Sequence, residues 1–137
     1  MPTDTTGEVD IPRPALAGIA CGVAASLSII WLNILPDAQG HAILVAAIAT
    51  PYLAFALLDG SARSLFSEIT ATVVFVTTAF LILDASAWAV AAVLAAHGIW
   101  DIAHLKGRIT SHVGDYPVWC ASLDLTAAGV LLASTAL

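Results

Sequence analysis

ALAGIACGVAASLSIIWLNIL, residues 15 to 35, contains no charged side chain. Wound as a helix at 1.5 Å per residue it extends about 31 Å, close to the roughly 30 Å of a bilayer's hydrocarbon core. Blocks of the same kind follow at residues 42–58, 65–83, 85–104 and 118–137. The second has no charge, the third carries only Glu68 and the fifth only Asp124, and the fourth carries His97, Asp101 and His104. Each lies near the roughly 17 to 25 residues of a spanning helix, and the breaks between them hold Pro36, Asp37, Gly40, Gly60, Arg63, Asp84, Lys106, Gly107 and Gly114. The expected fold is all-α: a polytopic bundle of five transmembrane helices. Pro51 removes a backbone hydrogen bond from the middle of the second block and predicts a kink there, with neighbouring helices able to satisfy the freed carbonyl. A four-helix arrangement with residues 42–83 re-entrant is the competing topology.

Composition agrees. Of 137 residues, 60% are hydrophobic and 10% charged, too few charges to cover a soluble domain. The basic residues orient the bundle, because Lys and Arg near helix ends collect in the cytoplasm. With five crossings, Arg13, Arg63, Lys106 and Arg108 all fall on one face, and the opposite loops and C-terminus hold none. The N-terminus is expected inside the cell, in a multi-pass protein of the inner membrane. Residues 1–12 are read as a disordered acidic tail without the positive start of a secretory signal, and residues 13–137 as one transmembrane domain. A net charge of −6 argues against nucleic acid as a partner. Membrane lipids, and a homo-oligomer or a larger membrane complex, are the expected partners.

Small residues predict close packing: Gly18 and Gly22 are four apart, and Ala25 and Ser26 extend the strip. Trp31, Trp88, Trp119 and Tyr116 fall near helix ends, where aromatic rings favour the interface. Cys21 and Cys120 read as buried thiols rather than a disulfide framework, His41 and His112 as solvated end or loop residues, and the threonines at 70, 72, 77 and 78 as bonded to their own helix.

The fourth and fifth blocks carry the chemistry. His97, Asp101 and His104 are spaced four and three apart, so on a helix they share a stripe within about 60°, bordered by Trp100. Asp115 is placed to cap the last helix and Pro117 suits its first turn, with Cys120 and Asp124 following one turn apart. Counted inward from the basic loop, His97 and Asp124 lie roughly 10 Å deep and Asp101 and Cys120 roughly 5 Å. Glu68 enters from the same side, with Asp59 and Cys21 in the same half. Ionisable groups at a helix centre cost about 2.5 to 3.5 kcal/mol each, so these must face one another, a cavity or a ligand.

The pattern H-x-x-W-D-x-x-H, as HGIWDIAH, followed by Tyr-Pro and C-x-x-x-D, as CASLD, resembles an uncharacterised family of small bacterial integral membrane proteins. The resemblance covers about residues 95–130, implies a multi-helix membrane fold and treats these positions as a set; it brings no activity with it. In the related pattern a second histidine often follows the one matching His104, where this chain has Leu105. The likeness to ceramidase-type zinc membrane enzymes is one of arrangement, without their histidine spacing.

Three uses fit the cluster. His97, Asp101 and His104 can ligate zinc or iron, with Asp124 or Glu68 as catalytic base for hydrolysis or oxidation of a lipid-soluble substrate. The same groups can relay protons or ions in a small transporter or channel. Or they lock helices three, four and five together by hydrogen bonds, although interhelical hydrogen bonds contribute only about 0.6 kcal/mol each, or they fix a partner in an accessory subunit of a larger membrane complex.

Overall fold

A computed structural model describes residues 11–105, 109–110 and 113–136. The tail residues 1–10, and with them Lys106, Arg108 and His112, lie outside the described residues. The chain is helical, with no strand among the described residues: α1 (Arg13–Leu32), α2 (Asp37–Ile48), α3 (Pro51–Asp59), α4 (Ala62–Leu81), α5 (Ala87–Ala103) and α6 (Tyr116–Ser134). Four stretches, α1, α2 with α3, α4 and α6, are long and apolar enough to cross a membrane, and α5 is apolar but shorter at 17 residues.

The punctuation follows from local chemistry. Asn33 adopts the left-handed conformation at φ 45° and ends α1, and Gly60 does the same for α3 at φ 68°. Ser61 and Ser86 cap α4 and α5, accepting from the backbone N–H of Ser64 and Ala89. Asp115 occupies the N-cap of α6 but makes no side-chain cap bond, so that expectation is corrected; Pro117 does sit in the first turn. At Pro51 the helix breaks, and the freed backbone acceptors are taken up as polar groups in lipid require. Thr50 Oγ1 donates to Ala47 O at 2.9 Å, and Thr72 Oγ1 crosses from α4 to Ala49 O at 2.9 Å. Thr72 thus bonds a neighbouring helix, not its own; Thr70 behaves as expected, donating to Phe66 O.

The molecule is inverted relative to a soluble domain. Trp31, Ile34, Leu81 and Phe66 are more than 70% exposed, while Glu68, His97, Asp101, His104 and Asp124 are at most 1% exposed. That distribution suits a membrane protein, whose outer surface faces hydrocarbon and whose polar groups must be satisfied inside.

α6 packs along α1 on one side and α5 on the other, while α2 and α3 lie on α4 and α2 also reaches α5. α1 and α6 run parallel, and Gly18, Gly22 and Ser26 form the buried strip of α1. A side chain at Gly18 would overlap Trp119 O, and one at Gly22 would meet Leu123 O at 2.7 Å. In the core, Val45, Leu94 and Leu131 are fully buried. Two single-residue readings are corrected. His41 is fully buried, because α2 begins at Asp37 and His41 falls one turn inside it, with Nδ1 at 2.7 Å from Asp37 O. Cys21 is exposed, because the glycines beside it take the face that meets α6.

Gly18→Leu is expected to wedge α1 from α6 and cost about 1 to 3 kcal/mol, seen as a lower thermal unfolding midpoint in detergent. Gly129→Leu, where an added Cβ has no neighbour within 4 Å, should change stability by less than about 0.5 kcal/mol.

Candidate metal centre

Helix periodicity alone delivers the site. On α5, His97 and Asp101 are one turn apart; on α6, Cys120 and Asp124 are one turn apart; the two helices are antiparallel and meet at Gly98. A Cβ at Gly98 would stand 3.4 Å from the Asp124 Cβ, so the two helices are in direct contact beside the imidazole of His97. His97 Nδ1 and Asp124 Oδ2 are hydrogen-bonded at 2.6 Å, and Asp101 Oδ2 lies 3.6 Å from the same nitrogen. One ligand atom from each of His97, Asp101, Cys120 and Asp124 falls within 4.8 Å of the others, and all four residues are buried.

Satisfaction is incomplete. Both oxygens of Asp101, and Oδ1 of Asp124, are buried without a hydrogen-bond partner. A buried unsatisfied polar atom costs about 1 to 3 kcal/mol. His97 can carry one positive charge against two carboxylates, so a dication or added protons must balance the rest. Nitrogen, oxygen and sulfur donors are those zinc accepts, and bond lengths of about 2.0 to 2.3 Å set tetrahedral ligand separations of about 3.3 to 3.8 Å. This buried group could hold a metal ion.

The remaining expected residues form a second cluster. His104 lies at the C-terminal cap of α5, its Nδ1 2.9 Å from Trp100 O and its Nε2 2.6 Å from Glu68 Oε1. With both ring nitrogens engaged, no lone pair of His104 is directed at the quartet. Thr110 donates to Glu68 Oε1 at 2.8 Å. Its hydroxyl proton being used there, Ser64 Oγ donates to Thr110 Oγ1 at 2.9 Å. The structure therefore brings His97, Asp101, Cys120 and Asp124 together and pairs His104 with Glu68 beside them.

Tyr52 joins the two groups and has no counterpart among the expected residues. Its ring stacks on His104 at a centroid distance of 4.1 Å, and its hydroxyl is close enough to Asp101 to interact with it. Tyr116, which reads as an interface anchor in the sequence, stands edge-on to Tyr52 at 5.4 Å, and its hydroxyl lies 4.0 Å from Cys120 Sγ. A tyrosine next to Pro51 was the available signal for Tyr52. Ser64 and Thr110 give none, since hydroxyls beside a turn are ordinary.

The fold and site define a class: an all-helical, membrane-type bundle with a buried His/Asp/Cys/Asp group fit for a metal ion. Compared with known proteins, the chain matches no family model, no curated protein and no solved structure.

Thr110→Val removes both hydroxyl links while keeping shape. It is expected to lower unfolding free energy by about 0.6 to 1.7 kcal/mol, checked by chemical denaturation in detergent against the exposed Thr77→Val.

Proposed function

We propose that this chain is an inner-membrane protein with five crossings and a cytoplasmic N-terminus, in which the quartet holds a zinc-like divalent ion serving hydrolysis of a lipid-soluble substrate. α5, apolar over 17 residues, is at the lower limit of a spanning length and supplies the fifth crossing. Arg13 and Arg63 stand at the same end of the bundle, where α1 and α4 begin and α5 ends, in keeping with a cytoplasmic position for that end. The carrying observation is the convergence of four donor atoms within 4.8 Å, with three buried carboxylate oxygens among them that accept no hydrogen bond.

Zinc is favoured over non-haem iron because the iron triad wants two histidines and a carboxylate, whereas His104 is held by Glu68. A bound ion would supply Lewis acidity to a carbonyl once one of the four residues gives up its place or a fifth position is taken, because four protein ligands close a tetrahedral zinc. The chain's residues supply the proton traffic. Glu68, held by His104 one turn from Asp101, accepts a proton from the attacking water as its oxygen bonds to the acyl carbon. That proton then passes to the alkoxide released when the ester C–O bond breaks. Transport through the bundle is less supported, because the fully buried apolar residues Val45, Leu94 and Leu131 separate this half from His41.

Elemental analysis of purified protein tests the reading. Wild type is expected to carry about one zinc per chain, His97→Ala and Asp124→Asn to lose it, and His104→Ala to retain it. Cobalt-loaded protein should show a thiolate-to-metal absorption band that Cys120→Ser abolishes. Metal-free wild type, or equal loss in the His104 variant, overturns the site as drawn. A periplasmic reporter fused at Leu137 is expected to be active, and the same fusion at Gly60 inactive.

A further inference from the structure

Beside the quartet, between α4 and α5, lies a cavity of about 540 Å³, within the range of small-molecule sites. Phe66 and Val74 on its rim are exposed, so it opens sideways on the lipid-facing surface. Arg63, Ser67, Thr70 and Val74 line it in one stripe at spacings of four, three and four, about 16 Å along α4. The stripe is graded. Arg63 is an exposed cation and forms no ion pair among the described residues; Ser67 and Thr70 bring hydroxyls one and two turns deeper; beyond them the lining is apolar.

Two lining residues also touch the imidazoles of the site. Phe75 stands edge-on to His97 at 4.7 Å, and Trp100 edge-on to His104 at 5.2 Å. A molecule in the groove is thus one ring away from each imidazole.

We infer that the groove binds an anionic glycerophospholipid of the surrounding leaflet and presents it to the buried quartet across Phe75 and Trp100. The three zones match such a lipid in order: phosphate at Arg63, an ester carbonyl at the Ser67 hydroxyl, acyl chain past Thr70, whose own hydroxyl donates to Phe66 O, and along Val74 and Phe75. A free fatty acid has no ester to set against the Ser67 hydroxyl, and a zwitterionic lipid brings its own cation to Arg63. The inference rests on the lipid-soluble substrate proposed above and names its class and its route of entry.

Protein equilibrated with vesicles of equal phosphatidylcholine and phosphatidylglycerol, then examined by native mass spectrometry, provides the test. Wild type is expected to retain phosphatidylglycerol preferentially, and Arg63→Gln to retain it about tenfold less, the loss of one charge-assisted contact. Ala71→Trp, which fills the groove, should abolish retention with helix content and unfolding midpoint unchanged; if that variant misfolds, Arg63→Gln alone decides. Wild type stripped of metal by a chelator should retain lipid as before, which separates this inference from the metal reading. Equal retention of both lipids, retention indifferent to Arg63→Gln, or occupation by added free fatty acid in preference to phosphatidylglycerol overturns it.

Discussion

The close approach of α5 and α6 at Gly98 is the constraint on which the rest of the structure depends. It brings His97 to 2.6 Å from Asp124 and thereby commits two carboxylates, an imidazole and a thiol to one small volume. In hydrocarbon, such groups cannot turn outward. Neighbouring helices must then complete the enclosure: α3 lays the Tyr52 ring over His104, and α4 sends Glu68 to its far nitrogen. The apolar exterior and the polar interior are two results of one requirement, that ionisable groups find partners away from lipid.

Within that enclosure the two clusters have different degrees of completion. The Ser64, Thr110, Glu68 and His104 chain is continuous, each donor meeting an acceptor, and it ties the segment after α5 to α4. The quartet holds three carboxylate oxygens that accept no hydrogen bond of ordinary length, although His97 Nδ1 stands 3.6 Å from one of them. A purely structural network would be expected to finish its hydrogen bonds, as the first does. The closed chain holds Glu68 in place beside the quartet, whose own hydrogen bonds are left incomplete.

Much of this was legible in the residues alone. Uncharged blocks near twenty residues long disclosed the helices, because bilayer thickness and helix rise leave few alternatives. The convergence of His97, Asp101, Cys120 and Asp124 followed from i,i+4 spacing and an antiparallel hairpin. What stayed hidden needed rotation about helix axes or distant packing. His104 belongs to the same stripe as His97, and only the position of Glu68 on α4 reveals that it turns to a different partner. Cys21 and His41 exchanged their expected environments because one residue of rotation, or one extra helical turn, decides burial. Thr72 reaches Ala49 only because Pro51 broke the helix facing it, a relation across 23 residues that local pattern does not contain.

The glycine strip of α1 meets α6 across some hundred residues of sequence, Gly18 against Trp119 and Gly22 against Leu123. α1 is made long before α6, so its small-residue seam stays uncovered until α6 follows it out of the ribosome. α6 also carries Cys120 and Asp124, two of the four residues of the quartet. One helix therefore closes the seam and completes the quartet together.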